Sequence, residues 1–390
     1  MEDCRRIGCE GLFPPDYVCK LAGRVWQNGP AIFTTVQNCL EGKILKKTYL
    51  KRFFNIVFLI LVFSLTLWSV FNGKNLQQIL TLVETSNPFY LIPGIICVLL
   101  FILGESVVIF YLMRVLGSKV RFWHCCLYSF IGFFYSSITP SASGGQPMQV
   151  VAMRKDGIPV AVSAVVLAIV TITYKLVLVV IGVLIMLIRP PKIIDYLDPV
   201  GPVIWFGLFL NVVCISALML IVFHPDLVRV MVHKIFVVVN KVHTVRNPEK
   251  QKERLETILE QYHGSAEVFR SKKRVILRVF LITMLQRCLL FTVTWFVYRS
   301  FGLSGQSFFV IIGLQAMISV ATDMLPLPGG MGVSENLFLE IFSPVFGGLL
   351  VLPGMMISRG ISYYSQLLVS AAMTVAAQFI LRERKKRSIL

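Results

Sequence analysis

Charge is scarce in this sequence, and negative charge is scarcest. Asp, Glu, Lys and Arg make up 15% of the 390 residues, against about 25% in soluble domains, and 20 acidic residues face 38 basic ones. With 56% apolar residues and a mean hydropathy of +0.75, the chain has too little polar surface for a soluble globular domain. Metal-binding patterns are lacking as well: the nine cysteines form no matched Cys-x-x-Cys pairs and no Cys/His cluster at ligand spacing. His124 beside Cys125 and Cys126 does not repair this, because neighbouring cysteines chelate one ion poorly. No metal and no cofactor is expected. No cleavable leader is expected either, since the first apolar stretch begins near Phe53, behind a long basic segment and without a small-residue cleavage site.

The net charge of +18 does not read as affinity for nucleic acid. The basic residues stand in blocks between long apolar runs, not along one surface interleaved with polar side chains. They serve as topology signals and as contacts for anionic lipid headgroups.

A helix needs about 20 apolar residues to cross the hydrocarbon core. The runs that qualify are Phe53 to Phe71, Phe89 to Val115, Ile158 to Ile188, Pro202 to Phe223, Val275 to Tyr298 and Leu349 to Leu381. Two others, Phe122 to Ile138 and Ser307 to Leu325, run straight into Pro and Gly. They are expected to belong to re-entrant hairpins at about Phe122 to Gly157 and Ser307 to Phe346. Lys and Arg mark the cytoplasmic side: nine precede the first span, eleven lie between His224 and Arg274, and five lie between Arg382 and Arg387. Both termini are therefore expected in the cytoplasm.

The expected fold is all-α: a polytopic integral membrane protein with about six spanning helices and two re-entrant hairpins in an inverted repeat. Residues 1–52 form an N-terminal cytoplasmic segment of no assignable function, 53–223 a first membrane half and 275–381 a second. Residues 382–390 are a basic tail. Between the halves, residues 224–274 read as an amphipathic cytoplasmic connection, with Leu227, Val230, Met231, Ile235 and Val238 at helical spacing before a polar run from Glu249 to Gln261.

The repeat is visible in its motifs. In the first half a span with Glu105 leads to Ser137-Ile138-Thr139-Pro140-Ser141-Ala142-Ser143-Gly144-Gly145-Gln146-Pro147, then to a span with Lys175. In the second, a span with Arg287 leads to Asp323-Met324-Leu325-Pro326-Leu327-Pro328-Gly329-Gly330-Met331-Gly332, then to a span with Arg359. Lys175 follows Gly145 by 30 positions, and Arg359 follows Gly330 by 29.

Irregular backbone cannot face lipid, where each unsatisfied peptide group costs several kcal/mol. Both loops must therefore be buried in protein or line a wet cavity, the place where transporters bind substrate. Pro140, Gly144, Gly145, Pro326, Pro328, Gly329, Gly330 and Gly332 are the candidate gate residues. Lys175, Arg287 and Arg359 are the candidate phosphate ligands, with Lys175 and Arg359 expected to share one phosphate across the repeat. Glu105, Glu335, Glu340 and Asp323 are the acidic counterparts, for a cationic headgroup or a coupling proton. Pairing of these charges into structural salt bridges is the competing reading.

At these motifs the sequence resembles the flippase-like membrane domain of the multiple peptide resistance factor (MprF) family, also called the lysylphosphatidylglycerol synthase transmembrane region. The resemblance rests on Thr139 to Pro147 and on Leu325-Pro326-Leu327-Pro328-Gly329-Gly330-Met331-Gly332-Val333-Ser334-Glu335, and covers about Leu45 to Leu381. It implies making or translocating aminoacylated phosphatidylglycerol, which protects bacteria against cationic antimicrobial peptides. Full-length members carry a soluble transferase that takes lysine from lysyl-tRNA, for which no room is expected before Leu390.

The expected function is thus that of a lipid flippase of the bacterial plasma membrane, moving a phosphate-bearing lipid such as lysyl-phosphatidylglycerol. The alternatives are a phosphatidylglycerol lysyltransferase, or membrane part of a lysyl-lipid synthase, and a small-anion permease. Expected partners are the phospholipid substrate, anionic headgroups and a separate aminoacyl-lipid synthase, with self-association left open and no nucleic acid bound directly.

Overall fold

The computed structural model describes residues 81, 84, 86–139, 142–224, 229–230, 248–325, 328–330 and 332–387. The expected N-terminal segment, the Phe53 to Phe71 span, Pro140, Pro326 and the extreme C-terminus lie outside them. So does most of the connection, including Leu227, Met231, Ile235 and Val238. Every regular element described is helical.

Helix α1 (Pro88–Val115) starts where Asn87 accepts a hydrogen bond from the Phe89 N–H at 3.0 Å and Pro88 takes the first helical position, a side-chain cap on a pre-set φ. α2 (Phe122–Ile138) and α3 (Gly145–Lys155) flank the first Pro-Gly loop. α4 (Val160–Ile188), the short α5 (Pro191–Leu197) and α6 (Gly201–Phe223) follow. α7 (Pro248–Ser271) leads to α8 (Lys273–Ser300), and α9 (Phe308–Thr322) and α10 (Val333–Phe346) flank the second loop. The last helix runs from α11 (Val351–Arg359) through a π segment (Gly360–Ser365) into α12 (Gln366–Arg387).

Among the described residues four stretches are long and apolar enough to cross a membrane: Pro88–Val115, Val160–Ile188, Pro191–Val222 and Lys273–Ser300. They match four of the expected runs. The expected sixth, Leu349 to Leu381, falls on α11 to α12, which is helical but interrupted by the π segment and ends in charged residues.

α8 shows how such a helix sorts its faces. Leu277, Leu281 and Leu285, four residues apart, are 58%, 58% and 64% exposed, whereas Thr283, Gln286 and Arg287 are buried. A stripe at i, i+4, i+8 lies on one side of a helix, so the apolar side faces outward and the polar side inward, the reverse of a soluble helix. α1 packs along α8, and α4 along α6 and α8. Lipid gives no hydrophobic drive for such packing, so close backbone approach and buried polar ties supply it. At the α6–α9 crossing Asn211 Nδ2 donates to the carbonyls of Gly207 at 2.9 Å and Val320 at 3.1 Å.

The polar run after Glu249 is helical and docks on the bundle. α7 packs on α4, α6 and α8, burying Leu259, Tyr262, Ala266 and Phe269, which recur at a spacing of three or four. Tyr262 donates to the Ile221 carbonyl at 3.1 Å. Of the apolar residues expected to lie on a membrane, Val230 is described and is 51% exposed. Near the start of α2, His124 Nδ1 lies 2.6 Å from the Asp156 carboxylate just past α3, and the Tyr128 hydroxyl donates to the same oxygen. Among the described residues no group of three or more His, Cys, Asp or Glu side chains is placed to hold a metal.

Candidate functional site

A cavity of about 370 Å³ lies where α1, α4, α8 and the ends of the two helix–loop–helix units converge. Glu105, Lys175, Arg287, Asp323, Gly329, Gly330 and Arg359, all singled out from the sequence, line it. Among these lining residues three carry positive charge and two negative, so the cavity wall has one cation in excess.

Lys175 is buried on α4, and its ammonium lies 2.5 Å from Asp323 at the end of α9. Tyr174, the residue before it, donates its hydroxyl to the other Asp323 oxygen. Lys175 also approaches Met324 Sδ at 2.7 Å. A buried ammonium needs such a partner, because burial without one costs several kcal/mol. The salt-bridge partner of Lys175 is thus Asp323, one residue past α9, and Arg359 joins it only as another wall of the same cavity.

Arg287 is 9% exposed on α8, and its Nε finds no hydrogen-bond partner among the described residues. Its guanidinium stacks on Tyr174 at 3.4 Å from the ring centroid and lies 5.1 Å from that of Phe101. Glu105 is within electrostatic reach but accepts its hydrogen bond from Gln149 Nε2 at 2.7 Å. Gln149, on α3, crosses close above Gly132 of α2: a Cβ there would stand 2.2 Å from Gln149 Nε2.

Arg359 closes the far wall. Both its terminal nitrogens donate to the Gly329 carbonyl at 3.2 Å, and one also donates to the Ser334 hydroxyl. Gly329 takes φ +58°, a left-handed conformation that glycine adopts without steric cost. Glu335 is half-buried on α10, within electrostatic reach of Arg359 but off the cavity wall, and Glu340 is exposed.

Of the remaining gate candidates, Gly145 starts α3 so close to α2 that a Cβ would stand 2.6 Å from the Gly132 carbonyl oxygen. Gly144 donates its N–H to Thr139 Oγ1 at 2.9 Å, Pro328 opens the short turn through Gly330, and Gly332 precedes α10 at the surface. Tyr174, Gln149 and Tyr363 also line the cavity although sequence reasoning missed them, as does Ser334, which stood in the quoted motif without a role. Only Tyr174, adjacent to Lys175, had a signal that pointed to it.

The arrangement suits an anion. A stacked guanidinium with an unused N–H, a second guanidinium held against a glycine-rich loop, and hydroxyls at Ser334, Ser358 and Thr294 all border one space. Comparison with known proteins agrees with the motifs. No curated protein matches the chain. The model of the lysylphosphatidylglycerol synthase TM region matches residues 55–370, which include every residue of the site and both Pro-Gly loops, and the chain belongs to that family.

Proposed function

We propose that this chain binds the phosphate of a lipid headgroup in the cavity between the two Pro-Gly loops and carries that lipid across the bilayer. Arg287 carries the reading. A buried guanidinium without an ion pair among the described residues is costly inside a membrane bundle unless a ligand supplies the charge. Its stack on Tyr174 holds the planar fork ready for two phosphate oxygens. Arg359 provides a second cation across the cavity, and Glu105 an acidic group for an ammonium on the headgroup or for a coupling proton. The loops act as alternating gates in an inverted repeat. The family description makes lysyl-phosphatidylglycerol the first lipid to test, and its export lowers the negative charge that cationic antimicrobial peptides seek.

A second reading has a specific observation behind it: the family description names a synthase region. In that reading the chain is the membrane part of a lysyl-lipid synthase and presents phosphatidylglycerol to a lysyl-tRNA-dependent transferase. A reconstituted headgroup-accessibility assay across phosphatidylglycerol, lysyl-phosphatidylglycerol and a polyprenyl phosphate separates the two. Transport predicts protein-dependent exposure of at least one lipid, reduced roughly tenfold or more by Arg287→Gln, as losing a charged hydrogen bond and its stacking implies. The synthase reading predicts no exposure, but labelled lipid once lysyl-tRNA and a soluble transferase are added. Equal exposure with Arg287→Gln removes the cavity from the mechanism.

A further inference from the structure

Tyr363 stands where the two Pro-Gly loops meet. It belongs to the π segment Gly360–Ser365, and π turns recur where a helix must re-aim side chains at a functional site. Its hydroxyl donates to the Ser137 carbonyl at 2.8 Å, in the last turn of α2 before the first loop. The chain leaves helical geometry at Thr139, so that carbonyl has lost its intrahelical partner and needs an outside donor. The Tyr363 ring lies against the second loop: a Cβ on Gly329 would stand 2.3 Å from Tyr363 Cε2 and 2.6 Å from Cζ. Arg359, one turn earlier, grips the Gly329 carbonyl. One stiff phenol therefore meets the backbone at both loops, through its hydroxyl at Ser137 and through the hydroxyl end of its ring at Gly329.

We propose that Tyr363 is a positioning residue that couples the two loops, so that they shift together and the cavity never opens to both sides at once. The proposal rests on the reading of the loops as gates. Packing alone requires the ring; coupling requires the ring and the hydroxyl together, because the bond to Ser137 adds a directional tie to the packing of α2 on the Pro328–Gly330 turn. Phenylalanine separates these two requirements.

Spin labels at Ser143 and Asn336, one near each loop, report loop separation in phosphatidylglycerol-containing vesicles. A ketone-bearing amino acid can carry each label and leave the native cysteines intact. The wild-type protein should give one narrow distance distribution. Tyr363→Phe should add a second, longer population and raise leakage of an entrapped anionic dye about fivefold, the ratio that losing one ordinary hydrogen bond implies. Tyr363→Phe should lower the maximal rate of lipid exposure by a larger factor than it raises the lipid concentration at half-maximal exposure, which sets a coupling loss apart from a binding loss. Gly329→Ala, pushing the ring from the other loop, should produce the same second population. An unchanged distance distribution and unchanged leakage in Tyr363→Phe protein that elutes as a folded monodisperse peak overturn the proposal. If the wild type exposes no lipid at all, the transport reading fails, while the label distances still decide whether the loops are coupled.

Discussion

Removing one charge of the Lys175–Asp323 pair should cost far more stability than removing both. The two groups lie 2.5 Å apart, with side chains 10% and 13% exposed. At an effective dielectric of about 20, Coulomb's law gives roughly 7 kcal/mol of attraction at that distance. Desolvation of two ions, at several kcal/mol each, cancels most of it. Keeping the pair is thus near neutral, whereas stranding one member costs about 3–5 kcal/mol. Lys175→Met leaves Asp323 with the Tyr174 hydroxyl as a donor, so its loss falls at the low end of that range. Asp323→Asn leaves the ammonium with Met324 Sδ, a weak acceptor, and falls at the high end. The double variant strands neither charge and should be about 3 kcal/mol more stable than Asp323→Asn. Thermal stability of the detergent-purified proteins, followed by size exclusion, gives all four corners of the cycle. The expected order runs from Asp323→Asn as least stable, through Lys175→Met and the double variant, to wild type. An Asp323→Asn protein as stable as wild type, or a double variant no better than the worse single, refutes the reasoning and returns Lys175 to the pool of unpaired ligands.

Two glycines should respond in opposite directions. Gly207→Ala places a Cβ 2.5 Å from Ala321 Cα and 2.6 Å from the Val320 carbonyl oxygen; backbone cannot yield as a side chain does, so a loss of about 1–3 kcal/mol is expected. Gly264→Ala meets nothing within 4 Å inside α7 and should gain roughly 0.5–1 kcal/mol, both read as thermal shifts. Burial at the α7 docking face raises the Tyr262 phenol above its ordinary value of about 10. The folded form then keeps its proton longer than the unfolded form, so this stability is complete below about pH 10 and is lost as pH rises through the folded value. Amide exchange over residues 248–271 should accelerate there, and Tyr262→Phe should flatten the change.

The sequence was most informative where one physical constraint acts alone. Long apolar runs located α1, α4, α6 and α8, because crossing hydrocarbon sets a minimum length for any helix. Pro and Gly located both interruptions, since the backbone they free must sit inside protein. The nearly equal spacing from Gly145 to Lys175 and from Gly330 to Arg359 marked two cations that line one cavity. What escaped depends on contacts between distant positions. The Tyr363 bond to Ser137 spans 226 positions and the Lys175 contact with Asp323 spans 148, and no local periodicity encodes either. Glu335 and Glu340 show the same limit at short range. Five residues along a helix turn through about 500°, which puts the two carboxylates on different sides, and only Glu335 falls near Arg359.

The π segment also fixes which changes in chain length the last helix tolerates. Its wider turn accommodates one residue more than an α-helix would, so the helix after it keeps the register that it would have without that surplus. Leu367, Ser370, Thr374 and Ala377 are all at most 3% exposed, forming the stripe that α12 presents to the bundle, where it packs on α2. Deleting a single residue between Gly360 and Ser365 would restore regular α-helix and leave that stripe facing the bundle, whereas inserting a further one would rotate it by about 100° and swing two hydroxyls toward lipid. An insertion at a surface turn such as Gly302 would rotate nothing. The tolerance is thus one-sided, and the surplus residue of this six-residue segment bears on the placement of Tyr363 and not on the register of α12.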